Sequence, residues 1–94
     1  MTYNLEFLEE ATKEWDKLNP TIRQQLKKKL VQILESPRIS KNQLSGSTNR
    51  YKIKLRSIGY RLVYEVIDQE VVVLVVAVGR RENNQVYKAA QSRQ

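Results

Sequence analysis

Between Tyr51 and Val78 three apolar-rich runs follow one another with only short breaks, and this spacing constrains the fold more than any other feature of the chain. The first run, Tyr51-Lys-Ile-Lys-Leu-Arg56, alternates apolar with basic residues at a period of two, the pattern of a strand with one buried face. Ser57-Ile58-Gly59 reads as a turn, Tyr60 to Ile67 as a return strand, Asp68-Gln69 as a second turn, and Val71 to Val78 as a third strand. Tight turns join antiparallel strands, whereas parallel neighbours need a long crossover, so the runs form a meander. The third run is apolar on both sides, as expected of a strand in the middle of a covered sheet.

The flanking residues supply the cover. Tyr3, Leu5 and Phe7 alternate with Thr2, Asn4 and Glu6, as in a half-buried strand. Leu8, Ala11, Trp15 and Leu18 then fall at helical spacing. Asn19-Pro20 stops that helix and starts another, with Asn19 as N-cap and Pro20 in the first helical position. The second helix carries Ile22, Leu26, Leu30, Ile33 and Leu34 on one stripe, making these, with Leu5 and Trp15, core candidates. It ends near Ser36-Pro37, because the residue before proline is pushed out of helical space. Arg38 to Asn49, containing Ser45-Gly46-Ser47, reads as a loop, and a weak helix surrounds Val86, Tyr87 and Ala90. The expected fold is α+β: an N-terminal strand and a helical hairpin packed on a mostly antiparallel four-stranded sheet, with a short C-terminal helix. Residues 1–94 are expected to form a single domain with one modest core.

Charge narrows the function. Seventeen Lys and Arg stand against ten Asp and Glu, a net charge of +7. Glu6, Glu9, Glu10, Glu14 and Asp16 lie in the first sixteen residues beside one base, Lys13, so the remaining 78 residues carry +11. That asymmetry points to a polyanion partner, RNA or DNA before an anionic membrane. Histidine and cysteine are absent, which excludes Ser/His triads, His-based zinc sites, thiolate metal sites and disulfides. The only aspartates, Asp16 and Asp68, are too far apart in sequence to suggest a two-metal carboxylate centre, and three glycines form no phosphate-cradling loop. No metal or cofactor is therefore expected. The N-terminus carries acids where a signal peptide needs a basic region and a long apolar stretch, and the longest apolar run is too short to span a bilayer.

The basic charge is patterned. Arg50 to Arg61 contains Arg50, Lys52, Lys54, Arg56 and Arg61 and no acid. A two-residue Ile58-Gly59 loop would set Arg56 opposite Arg61, Lys54 opposite Val63 and Lys52 opposite Glu65. Leu55 would then face Leu62, Ile53 Tyr64 and Tyr51 Val66 on an apolar side. A slip by one residue would bury the lysines, so Lys52, Lys54, Arg56 and Arg61 share one exposed face. A solvated outer face usually mixes signs; four like charges opposed across a hairpin repel and need a reason. RNA gives one, because its 2′-hydroxyl is a built-in nucleophile needing only proton removal, stabilisation of the phosphorane and proton delivery to the 5′-oxygen. A lysine among cations has a lowered pKa, so Lys52 or Lys54 could act as base, while arginines fork onto phosphate oxygens.

These residues also carry a resemblance. Leu26 to Ile39, the segment YKIKLRSIGYRLVYEV (Tyr51 to Val66) and VGRRENNQVY (Val78 to Tyr87) resemble the RelE family within the RelE/ParE toxin superfamily, across essentially the whole chain. The resemblance implies a RelE-like microbial RNase fold and a metal-independent endoribonuclease that cuts mRNA in the ribosomal A site. It implies Lys54 as general base, Lys52 as its electrostatic support, Arg61 at the transition state, Arg81 at the leaving group, and Tyr87 stacking on an mRNA base. Arg50, Arg56, Arg80, Lys27 and Lys28 are candidate contacts to RNA or the ribosome; for Lys27-Lys28-Lys29 a solvated helix face is the competing reading. Ser45 stands where the family has an arginine, so a phosphate contact in that loop is lost or moves, with Arg50 the nearest replacement. Implied partners are the ribosome, mRNA, a RelB-like antitoxin and, through the antitoxin complex, operator DNA, where the pair acts as corepressor. The implied location is cytoplasmic. A ParE-like gyrase inhibitor and a non-catalytic basic RNA-binding protein are the alternatives; gyrase-poisoning relatives generally lack the Lys/Lys/Arg/Arg/Tyr set.

Overall fold

The computed structural model describes residues 2–93, with the backbone alone at Asn83. Its elements are β1 (Asn4–Phe7), α1 (Glu9–Asp16), α2 (Pro20–Ile33), β2 (Arg50–Leu55), β3 (Tyr60–Ile67), β4 (Val72–Arg80) and α3 (Gln85–Ser92). The sheet order is β1-β4-β3-β2. β4 pairs antiparallel with β3 and β3 antiparallel with β2, while β1 runs parallel to β4. The doubly apolar strand β4 thus lies inside the sheet, and the basic strand β2 lies at its edge. Asn19 caps α2 as its sequence predicts, accepting a 2.8 Å hydrogen bond from the Thr21 N–H, with Pro20 opening the helix.

Both hairpins depart from the expected turns in the same way. Leu55 pairs with Tyr60 and Ile67 with Val72, so each loop has four residues, 56–59 and 68–71. In each the last loop residue is left-handed: Gly59 at φ +68° and Val71 at φ +55°. A two-residue Ile-Gly loop demands positive φ at Ile58 as well, which a β-branched residue resists. The longer loop instead coils Arg56–Ile58 into a 3-10 turn and leaves the left-handed step to glycine. The register therefore shifts by two from that expected: Lys54 faces Arg61, Lys52 faces Val63 and Arg50 faces Glu65. A shift of two preserves every face, so Lys52, Lys54 and Arg61 still share one, but Arg56 leaves the strand for the turn.

The sheet is packed on both sides. On one, Ala11 of α1 and Leu26, Leu30 and Ile33 of α2 bury against Tyr51, Ile53, Leu62, Tyr64, Val73 and Val75. Phe7 and Trp15 pack edge to face here, 5.2 Å between ring centroids. On the other, Val86 and Ala90 of α3 cover Val63, Val76 and Ala77. Consecutive Val76 and Ala77 share a cluster because the β3–β4 register shifts between Val63 and Tyr64, a bulge that places two β4 residues against one partner. Past Val75, β1 no longer covers β4, and side chains complete its hydrogen bonding. Glu14 Oε1 accepts from the Val78 N–H at 3.1 Å, and Arg93 donates to the Val76 carbonyl at 3.0 Å. No helix among the described residues is long and apolar enough to cross a membrane.

Candidate active site

The shared basic face of β2 and β3 forms the floor of a cleft of 960 Å³, walled by α3 on one side and the 44–47 loop on the other. Lys52, Lys54, Arg61, Arg81 and Tyr87 all line it. The strand residues reach it through alternation alone. Arg81 follows the end of β4 and is tied to the β2–β3 turn, its N–H donating to the Gly59 carbonyl at 2.9 Å. Tyr87 arrives on α3, whose inner face is fixed by Val86 and Ala90.

Arg61, on the cleft floor, is 7% exposed, the one buried charged residue among the described residues. Its guanidinium donates to the neighbouring Tyr60 carbonyl at 2.9 Å and has no carboxylate partner among the described residues. A buried cation is costly unless an anion meets it, and the residue opposite Arg61 is another cation, Lys54. The charge of Lys52 chiefly, then desolvation, then Arg56 and Arg61, hold the Lys54 ammonium below the ordinary lysine pKa. The arrangement suits a dianionic or developing negative charge, with one lysine that gives up its proton more easily than usual.

The remaining expected contact residues divide. Arg50 lines the cleft, but its guanidinium bonds Glu65 at 2.9 Å and the carbonyls of Ala90 and Arg93, so it fastens α3 to the edge strand and does not replace an arginine at Ser45. Ser45 itself lies on the cleft rim. Arg80 stacks on the Tyr60 ring, 5.6 Å from its centroid, and is not among the cleft side chains. Arg56 sits on the exposed turn, and Lys27 and Lys28 are exposed on α2, away from the cleft. Asn84 and Gln91 also line it and carry no sequence signal that would single them out, since they depend on how α3 docks. Among the described residues, no three His, Cys, Asp or Glu side chains gather as a metal site.

The fold of this four-stranded sheet matches that of type II toxins of the ParE/RelE class. The family model for the ParE toxin of the type II toxin–antitoxin system, parDE, matches residues 5–85, and the chain belongs to that family. Within it, the mRNA interferase toxin RelE of Escherichia coli strain K12 is 61% identical over 93 residues, 99% of this chain and 98% of that protein. A double arginine-to-alanine variant of E. coli toxin RelE in the free state matches with a TM-score of 0.90 at 60% identity, over 97% of this chain and 96% of that one. The toxin of the intact E. coli RelBE toxin–antitoxin complex matches with a TM-score of 0.82 at 64% identity, over 85% of this chain and 98% of that one.

Proposed function

We propose that the chain is an mRNA endoribonuclease, the toxin of a type II toxin–antitoxin pair, and that it cuts messages in the ribosomal A site. The observation that carries this is Arg61, buried and without a carboxylate partner among the described residues, set opposite Lys54 in a cleft that Arg81 and Tyr87 also line. Such a group is stabilised when a phosphate enters. Lys54 takes the proton of the 2′-hydroxyl, and the oxygen attacks phosphorus as the bond to the 5′-oxygen breaks. Lys52 and Arg61 stabilise the extra charge of the phosphorane, and Arg81 that of the departing 5′-oxygen, which takes a proton from water to leave as a 5′-hydroxyl while the attacking strand keeps a 2′,3′-cyclic phosphate. Tyr87 stacks on a base and sets the in-line approach.

The high identity to a protein named mRNA interferase toxin RelE supports this reading over the gyrase inhibitor. A non-catalytic RNA binder would not need a lysine of lowered pKa beside a buried arginine. The RelBE complex supports a RelB-like antitoxin as partner. Operator DNA is then bound through that antitoxin, with the pair as corepressor, and the working compartment is the cytoplasm.

The test is to map mRNA 5′ ends after induction, on a message with and without its start codon. Codon-phased cuts that vanish without translation are expected; cuts that persist would overturn ribosome dependence. DNA breaks without mRNA cuts would favour gyrase. A Lys54→Ala, Arg81→Ala double variant is expected to bind ribosomes yet cut poorly, and normal cutting would refute the site.

A further inference from the structure

The cleft does not use all of the protein's unpaired positive charge. Arg38, Arg50 and Arg93 are neutralised by Asp68, Glu65 and Glu14. Lys29, Lys41 and Arg56 form no ion pair and no side-chain hydrogen bond among the described residues. They converge, with Lys54, on a second cavity of 420 Å³ at the outer edge of β2. Four separate elements bring them there: Lys29 from α2, Lys41 from the Ser40–Asn42 3-10 turn, Lys54 from β2 and Arg56 from the following turn. Ile33, Ile53, Gln32 and Asn42 complete the lining, and no Asp or Glu is part of it. Lys54 lines both cavities, so the two lie on either side of that residue's reach.

We infer that this edge cavity is a second phosphate station for RNA, holding the backbone of the same strand whose scissile phosphate lies in the main cleft. The inference rests on the proposed endoribonuclease reading and extends it from one phosphate to the path of the strand. Lysines on an edge strand can serve simply to discourage pairing with another sheet. That role needs charge on β2 itself. It does not account for lysines delivered from α2 and from a separate turn to the same cavity. Like charges gathered without an acid repel one another, and a polyanion backbone is the ligand that relieves the repulsion at several points along its length. Amide donors between them fit phosphate and ribose oxygens, which carry no sequence information, so the station positions the strand without selecting a codon.

The experiment measures binding of 2′-O-methyl RNA, which lacks the attacking hydroxyl, so affinity is read apart from cleavage. Oligonucleotides of three and nine nucleotides are compared on wild type, Lys29→Ala/Lys41→Ala and Lys29→Arg/Lys41→Arg. Losing two phosphate contacts should weaken the nine-mer about tenfold near 0.15 M salt and flatten its log–log salt slope by about 1.4. The trinucleotide should bind all three proteins equally, and the arginine variant should restore the nine-mer. Unchanged nine-mer affinity overturns the station. Equal weakening of both lengths overturns it as well, since that is a general field effect. If wild type binds the nine-mer through these lysines but never cuts mRNA, the station stands and the endoribonuclease reading falls.

Discussion

At Lys54 the proposed base chemistry depends on the cations beside it. Its pKa is lowered first by Lys52, two residues along the same strand and therefore on the same face. A lysine acts as base only when neutral, so cleavage under single turnover should rise with pH through the Lys54 pKa, below the ordinary lysine value. Replacing Lys52 with Gln removes the largest cause, returns the Lys54 pKa toward normal, and should move that limb to higher pH. A limb that stays in place, with only its height reduced, would show that Lys54 is not the base. Gly59 offers a second test. Its left-handed φ of +68° disfavours any Cβ, although no atom would block one. Gly59→Ala should therefore cost about 1–2 kcal/mol in denaturant unfolding. A neutral result would mean that the turn relaxes, and with it the anchor its carbonyl gives to Arg81.

At the scale of elements, the two hairpins follow one geometry with different residues at the left-handed position. Val71 is β-branched at φ +55°, a conformation in which its side chain crowds the backbone. Val71→Asn should relieve that crowding and stabilise by about 0.5–1 kcal/mol, a rise in Tm of roughly 2–8 °C by thermal unfolding. A lower Tm would mean that packing of the half-buried isopropyl group outweighs the strain. The β2–β3 turn explains what could be read in advance. Period-two alternation assigned Lys52, Lys54 and Arg61 to one face because faces survive a register shift of two. It could not count loop residues, since a 3-10 turn at Arg56–Ile58 has no apolar period of its own, and Arg56 was misplaced for that reason. The bulge at Val76, the parallel pairing of β1 with β4 and the engagement of Arg50 by α3 are contacts between distant segments, which no local pattern encodes. Arg81 and Tyr87 were legible only through family resemblance, because their approach to the cleft depends on α3.

For the molecule as a whole, the acidic start of the chain and its basic end form a clamp. An eight-residue helix such as α3 is marginal alone and needs tertiary support. Val86 and Ala90 supply the apolar part; Arg93 supplies the polar part. Its guanidinium donates to Glu14 at 2.7 and 3.1 Å, lies 3.7 Å from Glu10, and bonds the Val76 carbonyl. Glu14 in turn accepts the Val78 N–H, so one carboxylate joins α1, the open edge of β4 and the end of α3. Arg93→Ala leaves that carboxylate and the Val76 carbonyl short of a donor, with the ion pair only partly exposed, 16% at Arg93 and 31% at Glu14. Losing charge-assisted bonds of this kind should cost about 1–3 kcal/mol in urea unfolding. Hydrogen exchange should localise the loss, with amides of α3 and the Val78 N–H exchanging faster while those of the β2–β3 ladder keep their protection. Because Tyr87 rides on α3, RNA affinity should fall with it, even though Arg93 lies outside the cleft. Glu14→Gln keeps an acceptor for Val78 but removes the charge, so it should cost less than Arg93→Ala. If the two were equal, the ion pair rather than the covered strand edge would hold the helix.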